Sequence, residues 1–162
     1  MKARRWERVA WDRGIGVVAS LARSSRHRVT RWLTRSLAVF TLAVRGGRRK
    51  NDVRAVGNEW QRMFPSGKMV PIVGIDDTTV RAEIHTKCPL RGTGDTAACY
   101  RMMEYDRRLL ERIGGQLVVL RSQAEPGRTH CEVAIRVAGA PVADLIPAHR
   151  LTASRAGQRT VA

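Results

Sequence analysis

The side chains best equipped for chemistry in this chain are three cysteines, Cys88, Cys99 and Cys131, and one aspartate, Asp106. A thiolate is a nucleophile and a soft metal ligand, and a carboxylate near it can serve as a general base. The chain has no Cys-x-x-Cys pair, so any joint role depends on the fold bringing the thiols together. Three readings stay open: inert core cysteines, zinc or iron–sulfur ligands, and thiols that attack or contact a small molecule.

The elements that must position these groups can be read from periodicity. A long helix is expected over residues 95–113. Cys99 falls in its first turn, where the helix dipole favours a thiolate. Ala98, Met102, Tyr105, Leu109 and Ile113 make an apolar stripe, with Asp106 the one charged residue within it. Asp106 follows Cys99 by seven residues, which sets the two on nearly the same side, about 10 Å apart along the axis. Both can border one pocket. Cys99 and Asp106 are therefore the candidate catalytic residues.

A strand over residues 78–87 alternates cleanly, with Val80, Ala82, Ile84 and Thr86 on one face and Arg81, Glu83, His85 and Lys87 on the other. Cys88 is in phase with the first face. Cys131 is in phase with Val133, Ile135 and Val137 in a strand over 130–137. His85 and His130 fall on the polar faces, which parts them from the cysteines. Cys88 and Cys131 are candidate ligand-binding positions, and Cys88, Cys99 and Cys131 together form the metal set of the alternative reading. Gly92-Thr93-Gly94-Asp95 precedes the helix. It offers either backbone amides at Gly94 for an anion or a tight turn with Asp95 as N-cap. It lacks the Lys-Ser/Thr end of a P-loop.

Further helices are expected over 3–23, 28–44 and 52–64, and strands over 69–75 and 116–122. The order predicts an α+β fold: an antiparallel four-stranded sheet with a packed helix, preceded by a basic helical N-terminal segment. The domain reading is a basic extension over 1–50, a cysteine-bearing α+β domain over 51–140 and an irregular tail over 141–162.

The charge balance points to the first segment. The chain has 162 residues, 30 Lys+Arg against 14 Asp+Glu, a net charge of +16 and 43% hydrophobic residues. Residues 1–54 carry 15 of the basic residues and three acidic ones. The preference for Arg over Lys, with abundant Ala, Val and Gly, fits a GC-rich bacterial genome. In the second helix Val29, Leu33, Leu37, Phe40 and Val44 form an apolar stripe about 80° wide. Arg28, Arg31 and Arg35 lie opposite. The plain expectation packs the stripe on the domain and leaves Arg in water. The alternatives are an anionic membrane surface or an acidic partner, and a targeting segment. Nucleic acid ranks behind the membrane or partner reading, for want of a helix-turn-helix followed by a wing or an aromatic-interleaved basic groove, and the targeting segment ranks last. Three cysteines exclude a disulfide-dense secreted scaffold. The charge-free apolar stretches, 14–22 and 36–44, are too short to span a bilayer. The expected location is cytoplasmic or membrane-peripheral.

Cys88-Pro89-Leu90 at a strand end, Cys99 at a helix start and Gly127-Arg-Thr-His-Cys131-Glu-Val opening the last strand resemble the L-2-amino-thiazoline-4-carboxylic acid hydrolase-like family, over about a third of the chain. Related 4-vinyl reductase domains and the cluster-sensing half of iron–sulfur repressors share much of this pattern. The hydrolase resemblance implies opening a C–N bond of a small cyclic amino-acid-like substrate, with Cys88, Cys99 and Cys131 at the matched positions. The repressor resemblance implies cluster ligation by the same cysteines. Residues 1–64 have no winged-helix strands. Asp106 comes later after Cys99 than the hydrolase pattern has it, and Glu132-Val133 replaces an Asp-Phe pair.

Overall fold

A computed structural model describes residues 2–23 and 27–151 of the chain. Its elements are α1 (Lys2–Arg23), α2 (His27–Arg45), α3 (Val53–Arg62), β1 (Ile72–Ile75), β2 (Val80–Ile84), α4 (Thr96–Met102), α5 (Glu104–Ile113), β3 (Gly115–Arg121) and β4 (Cys131–Val137). The four strands form one antiparallel sheet in the order β1-β2-β4-β3. The fold is therefore α+β, with the helical segment in front as expected.

The alternation in β2 becomes physical at once. Val80, Ala82 and Ile84 are buried and pair with Ile135, Val133 and Cys131 of β4. Leu117 and Val119 extend the same apolar face across β3. β1 is shorter than expected. Met69 belongs to a single 3-10 turn, Gly67–Met69, and Pro71 has no N–H for a ladder, so the regular strand starts at Ile72, although the Met69 and Pro71 carbonyls still accept the His85 and Glu83 N–H groups at 2.8 and 3.0 Å.

Asp52 caps α3 by accepting the Ala55 N–H at 2.8 Å. Val53, Val56, Gly57 and Trp60 then recur at helical spacing and are all buried. Gly57 lets the helix settle on the sheet, because a Cβ there would lie 2.8 Å from Val80 Cγ2. α5 ends at Gly114, whose φ of 95° is left-handed. A Cβ on Gly114 would run into the Lys50 carbonyl oxygen.

Two expectations are corrected. The helix over 95–113 is two helices, α4 and α5, broken at Met103. No Gly or Pro marks the break. The two helices share α2 as a neighbour, but α4 also packs on α1, whereas α5 also packs on α3 and β3. The second correction concerns α2. The residues it buries are Thr30, Thr34 and Ala38. These small side chains, four residues apart, allow close approach to its neighbours. The basic face joins them: Arg35 reaches Glu104 at 2.7 Å and Glu111 at 3.2 Å on α5. The apolar stripe is instead exposed at Val29, Leu37, Phe40 and Val44, with Phe40 64% exposed.

Ala19 and Ala22 of α1 belong to the same buried cluster as the sheet residues, so the N-terminal helices share the core. Beyond β4, Leu145 and Ala148 are buried, and residues 148–151 make a helical turn that sets His149 4.2 Å from the Tyr100 ring. Residues 152–162 of the expected irregular tail lie outside the described residues.

Candidate functional site

Just past Met103, α5 buries Tyr105 and Asp106. β2 and β4, paired at Ile84 and Cys131, bring a thiol to the same region. Between this sheet end and the N-terminal helices lies a pocket of about 330 Å³. Cys88, Cys131 and Asp106 all line it, beside Ile84, Met102 and Met103. Leu37, Phe40 and Val44 of α2 also line it and are exposed, so they form its rim. The C-terminal part of the α2 stripe therefore borders a pocket, while Val29 at its other end is exposed outside it. Apolar side chains dominate the lining, with a few polar groups among them, which is the usual make-up of a small-molecule site.

Asp106 is the buried charge of this pocket. Its Oδ1 accepts the Trp60 indole N–H at 3.0 Å. Burial pushes its carboxyl up to about 6, against the opposing effects of the Trp60 hydrogen bond and the Arg107 charge. Such a carboxyl holds or releases a proton near neutrality, which suits acid–base work. The neighbouring Tyr105 hydroxyl is hydrogen-bonded to Thr41 Oγ1 at 3.0 Å, and burial holds its proton on well above the usual range.

The thiols differ in environment. Cys99 is 2% exposed and is not part of the pocket wall. The Cys131 S–H and the Ser122 hydroxyl hydrogen-bond to its sulfur, and together with the Arg107 charge they lower its pKa against burial. The same hydrogen bond, with burial, raises Cys131. Of the pair, Cys99 is thus the easier thiol to deprotonate and Cys131 the harder. Cys131 Sγ also accepts the Gln123 backbone N–H at 3.3 Å. Cys88 is half-buried, and burial raises its thiol.

The structure thus brings Cys88, Cys131 and Asp106 to one pocket and sets Cys99 against Cys131. Gly94 stands apart. It is exposed, it is absent from the pocket wall, and its N–H donates to the Ala124 carbonyl at 2.8 Å. Asp95 caps α4 by accepting the Ala98 N–H at 2.7 Å.

Sequence reasoning missed Gln123, which is buried. Its side-chain N–H groups donate to the Ile84 and Thr86 carbonyls at 2.9 and 3.1 Å, and its carbonyl accepts from the Arg91 guanidinium at 2.7 Å. It ties the end of β2 to the segment carrying Cys88 and to Cys131. A glutamine in a polar turn gives no sequence signal of such a role.

A three-thiolate ion needs sulfurs about 4 Å apart, given zinc–sulfur bonds of about 2.3 Å. Among the described residues, the His, Cys, Asp and Glu ligand atoms that all lie within 4.8 Å of one another belong to Glu83, His85 and His130 instead. These sit on the polar face of the sheet, as the alternation places them. Among the described residues no helix is long and apolar enough to cross a membrane. No protein-family model, no curated protein and no solved structure matches the chain.

Proposed function

We propose that this protein binds a small, mostly apolar cyclic molecule in the pocket and opens a C–N bond of it with thiol and carboxyl chemistry. The observation that carries the reading is that Cys88, Cys131 and Asp106 line one cavity of about 330 Å³. The resemblance to the thiazoline hydrolase-like family supports the reaction class. The apolar lining narrows the substrate to a compact ring with one polar end, an amidine or lactam, directed at Asp106.

In the proposed reaction Cys131 is the nucleophile. With Cys99 ionised, the Cys131 proton passes to it as the Cys131 sulfur forms a bond to the ring carbon. The carbon–nitrogen bond breaks, and protonated Asp106 gives its proton to the departing nitrogen. Water then cleaves the sulfur–carbon bond, its oxygen going to the product and a proton to Cys131, and the proton held on Cys99 is exchanged back to Asp106, which restores the starting state. Cys88 contacts the bound ring. The test is a panel of small cyclic amidines and lactams, incubated with the protein and analysed by mass spectrometry for ring-opened product. Turnover that falls about 100-fold or more in Cys131→Ser and in Asp106→Asn supports the reading. Turnover unchanged in both variants, or no ring opening across the panel, overturns it.

A second reading is favoured by the exposed apolar residues of α2, above all Trp32 at 68% and Val44 at 67%. In it the helical hairpin attaches to an anionic membrane surface, with arginines meeting lipid headgroups. Sedimentation with anionic vesicles that is lost in Trp32→Ser supports this reading, and an absence of co-sedimentation removes it.

A further inference from the structure

The polar face of the sheet carries a group of side chains that the pocket reading does not use. Glu83 points outward from β2, and His85 follows two residues later on the same face. Ile84 pairs with Cys131, so the antiparallel register sets His130 directly beside His85. The two imidazoles stack with ring centroids 5.0 Å apart and planes 24° apart. Both direct Nε2 at one carboxylate: His85 Nε2 lies 2.6 Å from Glu83 Oε2, and His130 Nε2 lies 3.6 Å from Glu83 Oε1.

We infer that Glu83, His85 and His130 form a binding site for a divalent transition metal of the zinc class. Two imidazole nitrogens and one carboxylate oxygen are the donor set that zinc, cobalt and nickel prefer over calcium or magnesium. Ligands bonded to one zinc at about 2.1 Å lie about 3.4 Å apart in a tetrahedron. One ligand atom from each residue lies within 4.8 Å of the others, and the two histidines reach the two oxygens of Glu83 at 2.6 and 3.6 Å, so closure on one ion needs side-chain shifts only. His130 Nδ1 lies 3.2 Å from the Thr129 hydroxyl, an outer contact of the kind that fixes the ring of a ligating histidine. His85 is exposed and the other two are half-buried, so an ion can enter and keep water in its remaining positions.

The ion would clamp the end of β2 to the start of β4 at the pair that carries Cys131 to the pocket. The site therefore lies on the opposite face of the sheet from the thiols, and its standing is independent of the proposed reaction.

The test is equilibrium dialysis of the full chain, without an added histidine tag, against zinc, with metal content measured afterwards. Cobalt is used in parallel for its visible spectrum. The site predicts one ion per chain in the wild type and in Cys88→Ser. It predicts affinity at least about tenfold weaker in His130→Ala and in the more exposed His85→Gln. Zinc raises the unfolding midpoint of the wild type and leaves that of His85→Gln unchanged. The cobalt spectrum lacks the intense near-ultraviolet bands of sulfur ligation. Absence of binding overturns the inference. So does binding that survives both histidine changes, or a cobalt spectrum dominated by sulfur.

Discussion

The Trp60 indole N–H donates to Asp106 Oδ1 at 3.0 Å, joining α3 to α5 through a buried pair at the edge of the pocket. A carboxyl in that place is retained at a cost in desolvation, and one hydrogen bond offsets only part of it. The groups around it are Trp60, Tyr105, Arg107 and Cys99. Burial outweighs the Trp60 hydrogen bond, the Arg107 charge and a backbone hydrogen bond, which all favour its charged form.

This fixes the sign of a pH dependence. The carboxyl titrates at about 6 in the fold against an ordinary 3.8. Between those values the folded chain holds a proton that the unfolded chain has released. Stability therefore falls as pH rises from about 4 to about 6, by about 3 kcal/mol at most, and the loss levels off above that window. Urea unfolding of wild type and Asp106→Asn across pH 4–7 checks it. The difference between the two curves should carry this slope.

Trp60→Phe keeps most of the buried ring and removes the donor. The Asp106 pKa should then rise further, since the lost hydrogen bond had favoured the carboxylate. Stability at neutral pH should drop by about 1–3 kcal/mol. Carbon-13 carboxyl resonances followed through a pH titration report the first effect, and denaturant unfolding reports the second.

Burial and thiolate character oppose each other among the cysteines, and burial should decide access. Iodoacetamide should modify the half-buried Cys88 first and Cys131 more slowly. Cys99, 2% exposed, should react only on unfolding despite its lowered pKa. Peptide mapping of timed alkylation gives the order. Rapid labelling of Cys99 in the folded chain would contradict the placement.

Gln123→Ala should cost at least about 2 kcal/mol, because the Ile84 and Thr86 carbonyls lose their side-chain donor and the Arg91 guanidinium loses an acceptor. Cys88 alkylation should speed up as the loop it sits in loosens. Thermal unfolding and the same peptide mapping read both effects.

Much of the fold is legible in the sequence because local pattern and tertiary burial agree there. The alternation over 80–86, the Asp52 cap and the Gly114 stop all reappear as structure. Where they disagree, the sequence misleads. The stripe from Val29 to Val44 reads as a packing face, yet α2 packs through Thr30, Thr34 and Ala38, because small residues permit close approach, while Leu37, Phe40 and Val44 border a cavity. Period-two phase places Cys88 and Cys131 on the inner side, and both line the pocket. The cluster of Glu83, His85 and His130 depends on strand register, which no single strand reveals.

The most direct measurement is a protein-observed NMR titration with the panel of small cyclic amidines and lactams. The account predicts that a member of the panel shifts the resonances of Cys88, Cys131 and Asp106 together, and that Asp106→Asn weakens its binding. If no member moves those three residues, or if the shifts fall elsewhere on the molecule, the pocket is not the functional site.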